Sequence, residues 1–188
     1  MRKIKGFKLV LRPHEVKRRA KKAGVDLEAA GLPEPVLIKT LERLAKTLAP
    51  GVLFDTFGHP DPDQSVLSPM PGLAYSLILA SLGDAFPAAA REKEAALPAA
   101  LWPVLEETGL DECVRFAANI IADEAEKDNC ELSPITELSE SPALEAVVRK
   151  LDGAKLGVSI HGERGLLPSA SVAVSLSWLA KSKAKGRK

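Results

Sequence analysis

The sequence predicts an α+β fold: one mainly antiparallel sheet with strands from both chain ends, flanked by helices from the middle. Three observations predict it. Residues 165–178, GLLPSASVAVSLSW, alternate with a period of two. Val172, Val174, Leu176 and Trp178 fall on one side, and Ser169, Ser171, Ala173, Ser175 and Ser177 on the other. Near the opposite end, Phe7, Leu9 and Leu11 alternate with Lys8, Val10 and Arg12. Between the ends, apolar residues recur at helical spacing, without the repeated strand-helix-strand alternation of a doubly wound sheet.

Taken in order, residues 4–12, IKGFKLVLR, read as the first strand. Pro13 opens a helix, PHEVKRRAKKAG, that Gly24 ends. A second helix runs from about Glu34 to Leu48, with Leu37, Leu41, Leu44 and Leu48 on one stripe. Pro50-Gly51 stops it, and VLFDTF (52–57) reads as a second strand. The segment Gly58–Gly72 holds four prolines and is expected as a surface loop. LAYSLILASLG (73–83) reads as a short, nearly all-apolar helix capped by Gly83, followed over 87–107 by helical turns interrupted at Pro98 and Pro103. Leu110, Val114, Ala117, Ile121 and Ala125 mark an amphipathic helix over about 110–127. SPITELSESP (133–142) is a polar loop and ALEAVVRKLDG (143–153) a helix. KLGVSI (155–160) reads as a strand, joined by the loop HGERGLLPSA to the closing strand.

At 188 residues and 46% hydrophobic content the chain is long enough for one domain with a real core, expected over 1–180 with a basic, disordered tail at 181–188. No apolar run reaches the ~18–20 residues that span a bilayer. The basic start lacks the apolar run and cleavage site of a signal peptide, so a cytoplasmic location is expected. Cys113 and Cys130 stand apart, as core thiols do. The net charge of +1 conceals a segregation: residues 1–22 and 181–188 together carry +14, and residues 23–180 carry −13. Basic ends can bind nucleic acid by counterion release. No aromatic residues interleave these, so they read as solvated, with nucleic-acid binding an alternative.

Candidate chemistry is sparse. His59, Asp61 and Asp63 could contribute metal ligands, but no second cluster completes a coordination sphere, and no metal is predicted. Neither His14 nor His161 has a Ser or Cys nucleophile at a recognisable spacing. SLGDAF and GERG lack the spacing of phosphate loops. No protein nucleophile or general base is identified. What remains is the small-residue face of the last strand. Either a helix packs closely there or a ligand lies along it and is read by backbone groups.

The order of elements resembles the activation domain of cobalamin-dependent methionine synthase and its short stand-alone relatives. KLGVSI (155–160) is similar to that family's K-(I/L)-G-(V/M)-x-(I/L) strand. PSASVAV (168–174) is similar to its P-G-A-S-V-S-G turn and strand, matching at Pro168, Ala170, Ser171 and Val172 and differing at Ser169, Ala173 and Val174. AYSLILASLG (74–83), RFAANIIADEAEK (115–127) and the opening that ends in APGVLFDTF (49–57) resemble further elements of the stand-alone relatives.

The resemblance implies an accessory module in methionine biosynthesis. Such a module presents S-adenosylmethionine to oxidised cobalamin on a partner corrinoid protein, so that reductive methylation reactivates the cofactor. The cofactors supply the chemistry and the protein supplies placement. It also implies a ligand groove along Pro168, Ser169, Ala170, Ser171, Val172 and Ser175, opposite a loop containing Glu131, Pro134 and Thr136. In that loop the chain departs from the family. The R-x-x-x-G-Y motif falls on Glu131–Thr136, putting a carboxylate where the arginine would stand and Ile135 where the glycine would. Losing that charge-assisted bond costs about 1.5–3 kcal/mol. The alternatives are a protein-interaction module of the same fold and a nucleic-acid binder acting through the basic termini.

Overall fold

The closing alternation becomes the longest strand, β8 (Ser171–Ala180), and the sheet is built around it. The structure is a computed structural model and describes residues 1–68, 70–92, 97–162 and 165–181. The strand order is β1 (Arg2–Lys5), β2 (Gly51–Gly58), β3 (Ala74–Ser81), β8, β4 (Cys130–Leu132). β5 (Thr136–Glu137) pairs with β8 beyond β4, and every pairing in this sheet is antiparallel. β1 comes from the N-terminal end and β8 from the C-terminal end, so the chain is α+β with strands from both ends.

One sheet face carries Val52, Phe54, Ile78, Ala80, Val174 and Leu176. It is covered by α5 (Leu101–Lys127), which buries Leu105, Ala117 and Ile121 among others. α1 (Pro13–Lys22) and α2 (Glu34–Thr47) extend this layer with Val16, Ala20, Leu37 and Leu41. The other face presents Leu53, Tyr75, Leu77, Leu79 and Ala173 to α6 (Ser141–Lys150) and to Leu67 of the short α3 (Gln64–Leu67). Each large aliphatic side chain enclosed this way contributes about 1.5–3 kcal/mol.

The two-sided burial overturns the helix expected at 73–83. That stretch is β3, a central strand enclosed on both faces, so Ser76, Ile78 and Ala80 are as buried as Tyr75, Leu77 and Leu79. With no wet face, the alternation that marks a strand vanishes, and a short apolar run fits either element. Three more expectations change. Only Arg2–Lys5 of the opening strand joins the sheet, while residues 7–12 are extended without a ladder partner. α5 starts at Leu101, because Pro103 lies in its first turn, where a missing N–H costs nothing. Of KLGVSI, Lys155 and Leu156 end a 3₁₀ turn (Gly153–Leu156), and only β6 (Ser159–Ile160) is a strand, paired with β7 (Leu166–Leu167) in a separate ribbon. α4 (Ala85–Glu92) begins the helical region before α5. The basic tail lies outside the described residues from 182 onward. Among the described residues no helix is long and apolar enough to cross a membrane.

Candidate functional site

The small-residue face of β8 is the first place to test for a ligand, and the protein's own chain fills it. Ala173, Ser175 and Ser177 are buried. Ser177 Oγ donates to the Met70 carbonyl at 2.8 Å, and the Ser177 amide donates to Ser133 Oγ at 2.9 Å. Ala173 joins the apolar cluster of Leu144, Ala146 and Val147 from α6. Near the strand start, Ser171 Oγ donates to Ser81 Oγ at 2.9 Å, and the Ala170 carbonyl accepts from the Leu82 amide at 3.0 Å. Small side chains let the 61–72 loop and α6 approach the sheet closely. Gly72 marks the limit: a Cβ there would stand 2.5 Å from the Trp178 carbonyl oxygen.

An open cleft does exist beside β8, on its other face. It has a volume of about 720 Å³ and lies between α5 and the β5–β8 edge. Ser171, Val172 and Val174 form one wall, with Ile135 and Glu137 at one end. Glu106, Glu107, Leu110, Asp111, Val114 and Arg115 of α5 form the opposite wall. β5 pairs with β8 as far as Val174, and the Leu138 amide donates to the Ala173 carbonyl at 2.9 Å. Beyond that, among the described residues, Ser171 and Val172 have no strand beside them on this edge.

The cleft is acidic, and its carboxylates differ in state. Glu107 and Asp111 are held by Arg19 of α1, whose Nε also donates to Glu15 Oε1 at 3.0 Å. Glu106 has no ion-pair partner among the described residues, and burial raises its pKa above the ordinary glutamate value. Glu137 is exposed at the cleft mouth. Arg115 is exposed at the rim, with Nη1 3.1 Å from Glu112 Oε1.

The residues expected to form a groove therefore separate. Ser171 and Val172 line the cleft, with the 135–137 segment at its end. Thr136 is exposed beside it in β5, opposite Ser175 in register. Glu131 is exposed in β4 opposite Leu179, and Pro134 and Ser169 are exposed in loops. Pro168 is half-buried next to β7. Ala170 and Ser175 are enclosed; the Ser175 hydroxyl faces protein with no hydrogen-bond partner among the described residues. The α5 wall leaves no separate signal in the sequence, because Glu106, Glu107, Asp111 and Arg115 are the charged residues that any solvated helix face carries.

The remaining candidates are structural. Asp61 and Asp63 are committed to cations, with Lys150 Nζ 2.7 Å from Asp61 Oδ2 and Arg149 Nη2 2.8 Å from Asp63 Oδ2. Burial opposes the shift at both, but Lys150 and the Asp63 amide hold the Asp61 carboxyl, and Arg149 and Lys150 hold that of Asp63, below the usual aspartate range. His59 stacks on Tyr75 with ring centroids 5.6 Å apart, and neither imidazole nitrogen has a hydrogen-bond partner among the described residues. Among the described residues no group of three or more His, Cys, Asp or Glu could hold a metal ion. Burial pushes the Cys113 thiol up to about 12, which leaves it protonated and unreactive at neutral pH. His14 and His161 are exposed.

The cleft thus offers an apolar wall, a free strand edge, one rim arginine and two carboxylates with no ion-pair partner among the described residues. No family model matches the chain, and no curated protein matches it.

Proposed function

We propose that this chain is a non-catalytic accessory module of the methionine synthase activation type, with its ligand cleft between α5 and the β5–β8 edge. The observation that carries the reading is the cleft beside Ser171, Val172 and Val174, three residues of PSASVAV that line it. S-adenosylmethionine fits its chemistry. The sulfonium and ammonium are cations, and Glu106 and Glu137 are carboxylates free to face them. Val114, Val172 and Leu110 give an apolar surface for a purine, and the Ser171–Val172 edge offers backbone groups. Arg115 can take the amino-acid carboxylate, the role vacant at Glu131. Bound there, S-adenosylmethionine supplies an electrophilic methyl group, and the chain contributes binding and orientation alone. Cobalamin stays on a partner corrinoid protein facing the cleft mouth.

Calorimetric titration tests this. Heat of binding with S-adenosylmethionine that weakens about tenfold in Glu106→Gln supports the reading, a loss of about 1.4 kcal/mol. No heat from S-adenosylmethionine or from cobalamin at about millimolar ligand, where binding would be worth only ~4 kcal/mol, removes it. A second reading is a protein-contact module with no small ligand. It is favoured by the enclosure of Ala173, Ser175 and Ser177, which assigns the small-residue face to internal packing.

A further inference from the structure

Gly6, with φ +65°, turns the chain away from the sheet edge, its amide donating to the Pro50 carbonyl at 2.9 Å. The next six residues stay extended and alternate. Leu9 and Leu11 are buried and Phe7 stacks on Phe116 at 4.4 Å, whereas Lys8, Val10 and Arg12 are exposed. This is strand geometry without a strand beside it. Among the described residues no amide of Phe7–Leu11 donates to another backbone group, and none of their carbonyls accepts from one. A groove of about 530 Å³ runs along this segment, with Ile38, Leu41 and Ala45 of α2 as its far wall. The recess on the opposite side, against α5, is smaller, at about 230 Å³.

We propose that Phe7–Leu11 is a strand-addition site. An extended segment of a partner protein, alternating aliphatic and acidic residues, lies between it and α2. Backbone pairing fixes the register, and the α2 wall receives every second side chain. Charge selects the occupant. Lys8 and Lys46 line the groove against one acid, Glu42, and Lys3 and Lys5 continue the basic line along β1. A second copy would bring the same lysine-rich edge and be repelled, as edge lysines repel like strands generally. An acidic partner strand is drawn in.

The site is independent of the α5 cleft, and its test needs no knowledge of that ligand. The probe is an acetylated peptide of alternating valine and glutamate, titrated into the full chain labelled with ¹⁵N. Saturable amide shifts at Phe7–Leu11 and at Ile38–Lys46 are expected. The paired exposed-site variant Lys8→Glu/Lys46→Glu, and a valine-lysine peptide, are each expected to bind at least about tenfold more weakly. A valine-glutamate peptide N-methylated at alternate residues is expected to lose binding, because it cannot donate to the strand edge. The absence of shifts at Phe7–Leu11 at about 2 mM peptide, well above the range of weak transient contacts, overturns the proposal. Shifts confined to the α5 cleft overturn it too, as does equal binding of the N-methylated peptide.

Discussion

Ser76 shows how a single hydroxyl can decide whether a large residue belongs in the core. Trp178 lies on the α5 face of the sheet, and its indole N–H must find an acceptor once enclosed. Ser76 supplies it at 2.7 Å, and Thr56 Oγ1 lies 2.7 Å from the same hydroxyl, a polar thread across β2, β3 and β8. Ser76→Ala is therefore expected to destabilise by about 1–3 kcal/mol, the cost of an orphaned buried donor. Urea titration reads it; a change below about 0.5 kcal/mol, the level of neutral surface substitutions, would mean the thread carries little. Glu106 behaves oppositely. Burial raises its pKa, so folding favours the protonated form, and its ionisation costs stability as pH rises past the ordinary glutamate value. Glu106→Gln is expected to raise the melting temperature at pH 7 and to change nothing at pH values where both states hold the proton. A lower melting temperature at pH 7 would point to a cation partner for this carboxylate.

At the scale of elements, what the sequence reveals depends on how many faces an element shows to water. α1, α2, α5 and α6 each pack one face, so their apolar stripes are legible; β2 shows through the Pro50-Gly51 stop before it, and β8 through its alternation of large and small residues. β3 is not legible, because burial on both sides erases its period. The cleft is half legible: Ser171 stands out on the small-residue face and Val172 in the stretch that resembles the family's strand, but which face opens depends on the side that the 61–72 loop covers. Sequence cannot tell that, since the covering contacts are loop carbonyls such as that of Met70, which leave no side-chain signature. The loop itself is anchored by Lys150, whose ammonium serves Asp61 and Asp63 and lies 4.8 Å from the Phe57 ring centroid. Lys150→Ala leaves Asp61 half-enclosed without its cation. The expected loss is about 2 kcal/mol, between the ~0–1 of exposed pairs and the ~3–5 of buried ones. Faster hydrogen exchange over 61–72 in that variant, with α5 unchanged, would locate the effect; uniform exchange would refute a local latch.

For the whole molecule, the segregation of charge along the chain becomes a docking code in three dimensions. The basic N-terminal stretch does more than keep a helix face wet. Arg2 of β1 pairs with Glu124, Arg12 with Glu112 at 3.3 Å, and Arg19 with Glu107 and Asp111, so β1 and α1 are tied at several points to acidic α5. Such pairs leave a mark on the pH profile. The neighbouring guanidiniums of Arg18 and Arg19 lower Glu15 to about 2, Arg2 lowers Glu124, and the Arg149 and Lys150 pairs lower Asp63 and Asp61. A carboxyl whose folded pKa is depressed binds fewer protons folded than unfolded. Its stabilisation is complete above the unfolded value and disappears as pH falls through the folded one. The urea midpoint is therefore expected to hold from neutral pH down to about pH 4.5, the unperturbed glutamate value, and to fall steadily toward pH 2. Because Arg2, Arg18 and Arg149 reach their partners through solvent-exposed side chains, about 1 M salt, with its ~3 Å screening length, should flatten the fall by weakening those pairs at neutral pH as well. A midpoint at pH 3 equal to that at pH 7 would show that the N-terminal elements are held on α5 by apolar packing alone.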